Sequence, residues 1–107
     1  MAVTSAWSGL GLRHVLRGGD VNWGSDTIKV LLCTNAFTWN QDTIEFKSSV
    51  TNEVANGNGY TTGGVTLGTK TLTYDTASNT VRLDAADAAW TFSASKTMRY
   101  GVVWKDT

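Results

Sequence analysis

The chain has 107 residues, enough for one hydrophobic core and too few for two. Hydrophobic residues make up 41% of it, with five Trp, three Tyr and three Phe, which supplies that core and argues against intrinsic disorder. Nine basic and nine acidic residues cancel, so no net field draws the chain to nucleic acid or to an anionic membrane surface.

The first twenty residues, MAVTSAWSGLGLRHVLRGGD, lack the uninterrupted apolar core of a signal peptide, and no stretch approaches the roughly 18 apolar residues of a membrane span. The chain is expected to be made and kept in the cytosol, or released by lysis. Between Trp7 and Arg17, Leu12, Val15 and Leu16 recur at helical spacing, Ser5 or Ser8 can cap the start, and Gly18-Gly19 stops the run. A short N-terminal helix is predicted, and residues 1–20 are read as an arm on a β core spanning 21–107. The absence of Pro and the abundance of Gly and Thr suit short strands joined by tight turns.

After the turn DVNWGSD, the run TIKVLLCT (Thr27 to Thr34) is apolar on both faces apart from Lys29, which predicts a central strand covered on both sides. Its lone Cys33 has no disulfide partner in the chain and is expected to be a buried thiol. Asn35 to Asn58 is polar and turn-rich, with isolated Phe37, Trp39, Ile44, Phe46, Val50 and Val54; Ile44, Lys47 and Val50 suit one helical turn. A long connection of this kind either covers the core or meets a partner.

From Gly59 to Asp75 the apolar alternation changes phase between Leu67 and Leu72, implying a bulge near Gly68 or Thr69. Ala77 to Thr80 supplies a turn, and Val81 to Asp84 returns as a hairpin partner. Trp90 and Phe92 suggest a further brief strand. The final run, Thr97 to Lys105, places Met98, Tyr100, Val102 and Trp104 on one face and mainly polar residues on the other. These elements predict a mostly β fold of six or seven strands: a small antiparallel β-sandwich or flattened barrel with a short N-terminal helix.

The chemistry-bearing residues are sparse. With His14 the only imidazole and Cys33 the only thiol, the usual zinc sets are excluded, and no nucleophile-elbow sequence accompanies His14. Asp20, Asp26, Asp42, Asp75, Asp84 and Asp87 stand at turn positions, where Asp bonds the nearby backbone, so they read as turn formers rather than an acid–base pair. Asp84 and Asp87 do not make an EF-hand loop, and Gly68-Thr69-Lys70-Thr71 lacks the Gly-Lys pair of a phosphate loop. The expectation is no catalytic site, no metal and no cofactor. Trp7, Trp23 and Trp39 lie outside the patterned strands and either pin the helix and loops to the core or, some of them, form an exposed aromatic platform for glycans, which predicts a row of Trp23, Trp39 and Tyr60.

The segments DTIKVLLCT, QDTIEF, VTNEVANGNGYTTGGVTL, KTLTYDTASNTVRLDAAD and MRYGVVWKD, in this order and spacing, resemble a widespread family of small structural proteins of tailed phages and prophages. The resemblance runs from about Asn22 onward, and its most specific part is VTNEVANGNGYTTGG followed by TYDTASNTVRLDAAD. It implies a virion protein assembled in the host cytoplasm, with other virion subunits as partners. The favoured role is capsid decoration (cement) on the major capsid protein lattice, ahead of a tail, neck or tail-tip component and of a glycan-binding module for host attachment. Family members usually continue past the strand matching Tyr100 to Trp104, so the last strand here is expected to present an open edge to a neighbouring subunit in a symmetric homo-oligomer. Neither nucleic acid nor membrane is an expected partner. The residues expected to contact partners are Trp7, Arg13 and Arg17 of the arm and Phe37, Trp39, Ile44 and Phe46 of the long loop.

Overall fold

A computed structural model describes residues 5–18 and 21–106. Its elements are a helix α1 (Gly9–Leu16), strand β1 (Ile28–Cys33), a 3-10 turn at Lys47–Ser49, and strands β2 (Val65–Thr66), β3 (Thr71–Asp75), β4 (Thr80–Asp84) and β5 (Tyr100–Lys105). All pairings are antiparallel. They form a three-stranded sheet in the order β2-β1-β5 and a separate two-stranded ribbon, β3-β4. The fold is mostly β with one short helix, as expected, and takes the form of two sheets rather than a closed barrel.

Strand β1 is central because its side chains are apolar on both faces and need cover on both. It pairs with β5 along its whole length, from Ile28 opposite Lys105 to Cys33 opposite Tyr100. Its other edge takes β2, and the segment around Glu53 extends that pairing: Val54 N–H donates to the Leu32 carbonyl and Thr34 N–H to the Asn52 carbonyl, both at 2.9 Å. On one face Leu31, Cys33 and Phe37 form a buried cluster, against which Trp39, Ile44, Val50, Tyr100, Val102 and Trp104 pack. Leu32, Val54 and Tyr60 form the second cluster, covered by Trp90 and Phe92. Cys33 is fully buried, and desolvation, reinforced by the nearby Glu53 carboxylate, pushes its thiol up to about 11.

Helix α1 begins where Ser8, in extended backbone, accepts a hydrogen bond from the Gly11 N–H at 3.0 Å. Gly18, at φ 102°, follows its end in the left-handed region; Gly19 and Asp20, the rest of the expected stop and turn, lie outside the described residues. The helix is moored by the Ser8 hydroxyl on the Ile44 carbonyl and by Leu10 N–H on the Gln41 carbonyl, yet none of its residues is buried.

Three expectations are corrected. Among the described residues five strands form, not six or seven, and the Trp90–Phe92 stretch is not a strand: Ser93 N–H bonds the Asn58 carbonyl of a loop instead of a ladder, although Trp90 and Phe92 still share the core. The last strand starts at Tyr100. The phase change is real, with Thr69 at φ 49°, but the β3-β4 ribbon beyond it does not close over the three-stranded sheet as the second layer of a sandwich.

The loop of residues 50–64 is a scaffold built around Glu53. Its carboxylate Oε2 accepts from the Tyr60 hydroxyl and from the Gly63 N–H, both at 2.6 Å, while the same hydroxyl accepts from the Leu32 N–H of β1 at 3.1 Å. Burial and the bond to Glu53 hold the Tyr60 phenol well above its ordinary range. Gly64, at φ 86°, lies against β1, where a Cβ would be driven into the Val30 carbonyl.

Candidate interaction surface

Strand β5 is an edge. Asp106 N–H donates to the Thr27 carbonyl at 2.9 Å, and in an antiparallel ladder this alternation turns Tyr100, Val102 and Trp104 toward β1 and leaves the N–H and C=O of Gly101 and Val103 pointing away from it. Among the described residues nothing hydrogen-bonds to those four groups. The side chains along the edge are open as well: Val103 is 56% exposed and Met98 38%.

This edge lies along a largely apolar trough of about 2140 Å³ that runs the whole of Thr97 to Asp106. Its lining also includes Trp7, the α1 residues Leu12 and Val15, and Leu72 and Leu83 of the ribbon. The charges on β5 sit at its ends, Arg99 just before it and Lys105 at its close. Arg99 rests over the Tyr100 ring at 5.5 Å, and Lys105 faces Asp26 at 3.1 Å.

The ribbon is amphipathic. Leu72 stands opposite Leu83 and Tyr74 opposite Val81, and these four share one face at exposures of 59%, 38%, 57% and 63%. The opposite face carries Thr71, Thr73, Asp75, Thr80, Arg82 and Asp84. Asp75 is held below the usual carboxylate range by Ser78, whose side chain and amide both bond it, and by the Ala77 amide. Only the base of the ribbon is tied down, by Trp23 Nε1–H on the Asp84 carbonyl at 3.2 Å and Ala86 N–H on the Gly68 carbonyl at 2.9 Å.

The residues expected to meet partners divide into two groups. Trp7 is 64% exposed at the trough, Phe46 is exposed against the His14 ring, and Arg13 and Arg17 border a shallow depression of about 420 Å³ beside Leu12 and Leu16. Arg13 also stands 4.0 Å from Glu45. Phe37, by contrast, is 3% exposed in the core, which is a correction, because a three-stranded sheet is too narrow to bury its own face and the long loop supplies the cover; Trp39 and Ile44 pack against that core while only partly buried, and both line the trough. The aromatic row imagined for glycans does not form: Tyr60 is buried, Trp39 is part of the cover, and Trp23 is bonded to the ribbon base.

His14 makes an edge-on contact with Phe46 and lies 3.8 Å from Glu45. Among the described residues no group of three or more His, Cys, Asp or Glu is placed to hold a metal ion. Among the described residues no helix is long and apolar enough to cross a membrane. The sequence marked the β5 edge through its alternation; it carried no mark of the uncovered ribbon, whose pattern is the same whether or not a second layer covers it. No protein-family model, curated protein or solved structure matches the chain.

Proposed function

We propose that the chain is a non-catalytic structural subunit of a tailed-phage particle, acting by burying the β5 edge and its trough against neighbouring subunits. The observation that carries this reading is the pairing of unbonded backbone at Gly101 and Val103 with an apolar trough of about 2140 Å³ along it. Edge strands on free-standing proteins are normally shortened, charged or covered, because an exposed ladder recruits another chain. Here the charges stand only at the two ends, and the middle offers Gly101 and exposed Val103.

The resemblance of the segments from Asn22 onward to small phage structural proteins supports a place in the particle, and within it we favour decoration of the capsid lattice. A small domain with an exposed Trp7, an exposed helix and a projecting ribbon suits bracing contacts between larger shell subunits.

The test is immunogold labelling of purified intact particles. Label spread over the head is the expected result. Label confined to tail or neck overturns decoration and keeps the structural role, and particles free of label overturn both.

A further inference from the structure

The two sides of β5 are covered unequally. Tyr100, Val102 and Trp104 pack with the Leu31 cluster under the long loop, whereas Gly101 and Val103, which stand opposite Leu32 and Val30 and face the other side, are exposed. Trp90 and Phe92 cover Leu32 on that side and leave its two neighbours on β5 bare. The ribbon is bare as well. A two-stranded ribbon is marginally stable alone in water, and Leu72, Tyr74, Val81 and Leu83 expose an apolar face on the order of 400 Å². Leu72 and Leu83, the pair nearer the base, line the trough together with Ile28 and Val103, while Tyr74 and Val81, nearer the tip, do not. The apolar face thus opens onto the trough at its base and stands clear of it at its tip.

The attachment of the ribbon permits rotation. Leu67 before it is buried and its N–H donates to the Ile28 carbonyl at 2.8 Å; Trp90 after it packs on the Leu32 cluster. Between these anchors Gly68 has open space around it, Thr69 is at φ 49°, and the Ala86 N–H meets the Gly68 carbonyl at 2.9 Å, a rung about which the ribbon can turn. The pivot lies at the Lys105 end of β5, because one turn serves both: Trp23 bonds the ribbon base at Asp84, and Asp26 of the same turn, whose N–H donates to the Asn22 carbonyl at 2.8 Å, faces Lys105 at 3.1 Å. From that end the five-residue strands of the ribbon, about 17 Å long, reach along most of the six-residue β5, about 20 Å long. We propose that the β3-β4 ribbon is a hinged flap that closes its apolar face over Gly101 and Val103 of its own sheet, supplying there the second layer the sheet lacks. A subunit that docks along β5 then has to displace the flap; this consequence rests on the docking reading above, and the closure itself does not.

Closure is read in the purified protein, without any particle, so it stands or fails separately from the labelling of particles. Val81 near the ribbon tip and Val103 on β5 are both more than half exposed, so Val81→Cys and Val103→Cys leave the core intact, and the fully buried Cys33 stays out of the exchange. With oxidised glutathione, the two introduced thiols join in one disulfide as the oxidant is reduced to two thiols. In dilute solution the pair is expected to close within one chain at least about 10-fold faster than Arg82→Cys paired with Val103→Cys, since Arg82 lies on the opposite face of the ribbon. Equal rates for the two pairs, or disulfides that form only between chains, overturn the flap. The unsubstituted protein supplies the second measurement: a nuclear Overhauser contact between the methyl groups of Val81 and Val103 is expected, and its absence overturns the proposal as well.

Discussion

Replacing Tyr60 by Phe removes one oxygen that serves two partners. The hydroxyl donates to Glu53 at 2.6 Å and accepts the Leu32 N–H at 3.1 Å, on a side chain only 2% exposed. A hydrogen bond to a charged group contributes about 1.5–3 kcal/mol, and a buried amide left without an acceptor costs about 1–3 kcal/mol. Glu53 keeps the Gly63 amide at 2.6 Å and Lys47 at 3.7 Å, so its share of the loss falls at the lower end. The expected destabilisation is therefore about 3 kcal/mol, out of the 5–15 kcal/mol or so typical of a domain. In urea, with a slope of about 1.5 kcal/mol/M, the unfolding midpoint should fall by roughly 2 M at unchanged slope. Hydrogen exchange should show the Leu32 amide losing protection first. A midpoint shift below about 0.3 M would refute the argument, since the hydroxyl would then contribute nothing beyond what water offers the unfolded chain.

Two further outcomes follow from the same loop and core. Gly64→Ala should prevent stable folding, because the new methyl meets the Val30 carbonyl at a positive φ, whereas Gly68→Ala, with open space around it, should leave the stability measured by urea unfolding within about 0.5 kcal/mol of wild type. Stability should also fall in alkali: the Cys33 thiol ionises near 11 when folded against 9.0 unfolded, and the Tyr60 phenol is raised as well, so the native state retains protons that the unfolded chain gives up. The contribution is complete below about pH 9 and is lost as pH rises toward 11, and Cys33→Ala should flatten that decline in a titration of the midpoint.

Much of the architecture was legible where side-chain periodicity and cover coincide. The run TIKVLLCT is apolar on both faces because it is sandwiched between two clusters, and the β3-β4 hairpin follows from alternation and turn chemistry. Trp90 and Phe92 were readable as sharing a face but not as a strand, since facing depends on local spacing and strand formation depends on a distant partner. Phe37 misled for a related reason: an isolated apolar residue in a polar loop looks like a contact residue until the sheet proves too narrow to cover itself. The Glu53–Tyr60 clasp left no periodic trace, because its members are polar or amphipathic and meet through side-chain atoms. Of the interaction surface, Trp7, Arg13, Arg17 and Phe46 remain at the surface, while the trough required the placement of the helix and ribbon beside β5.

The antiparallel pairing of β1 with β5 joins residues roughly 70 positions apart. Loop-closure entropy on that scale must be met before the central strand gains its longest partner, so folding is expected to be slow for so small a domain. During synthesis only α1 and the β3-β4 ribbon can form from neighbouring residues, and β1 waits, apolar on both faces, until β5 has been made. A nascent chain is thus most exposed to misassociation until β5 has been made.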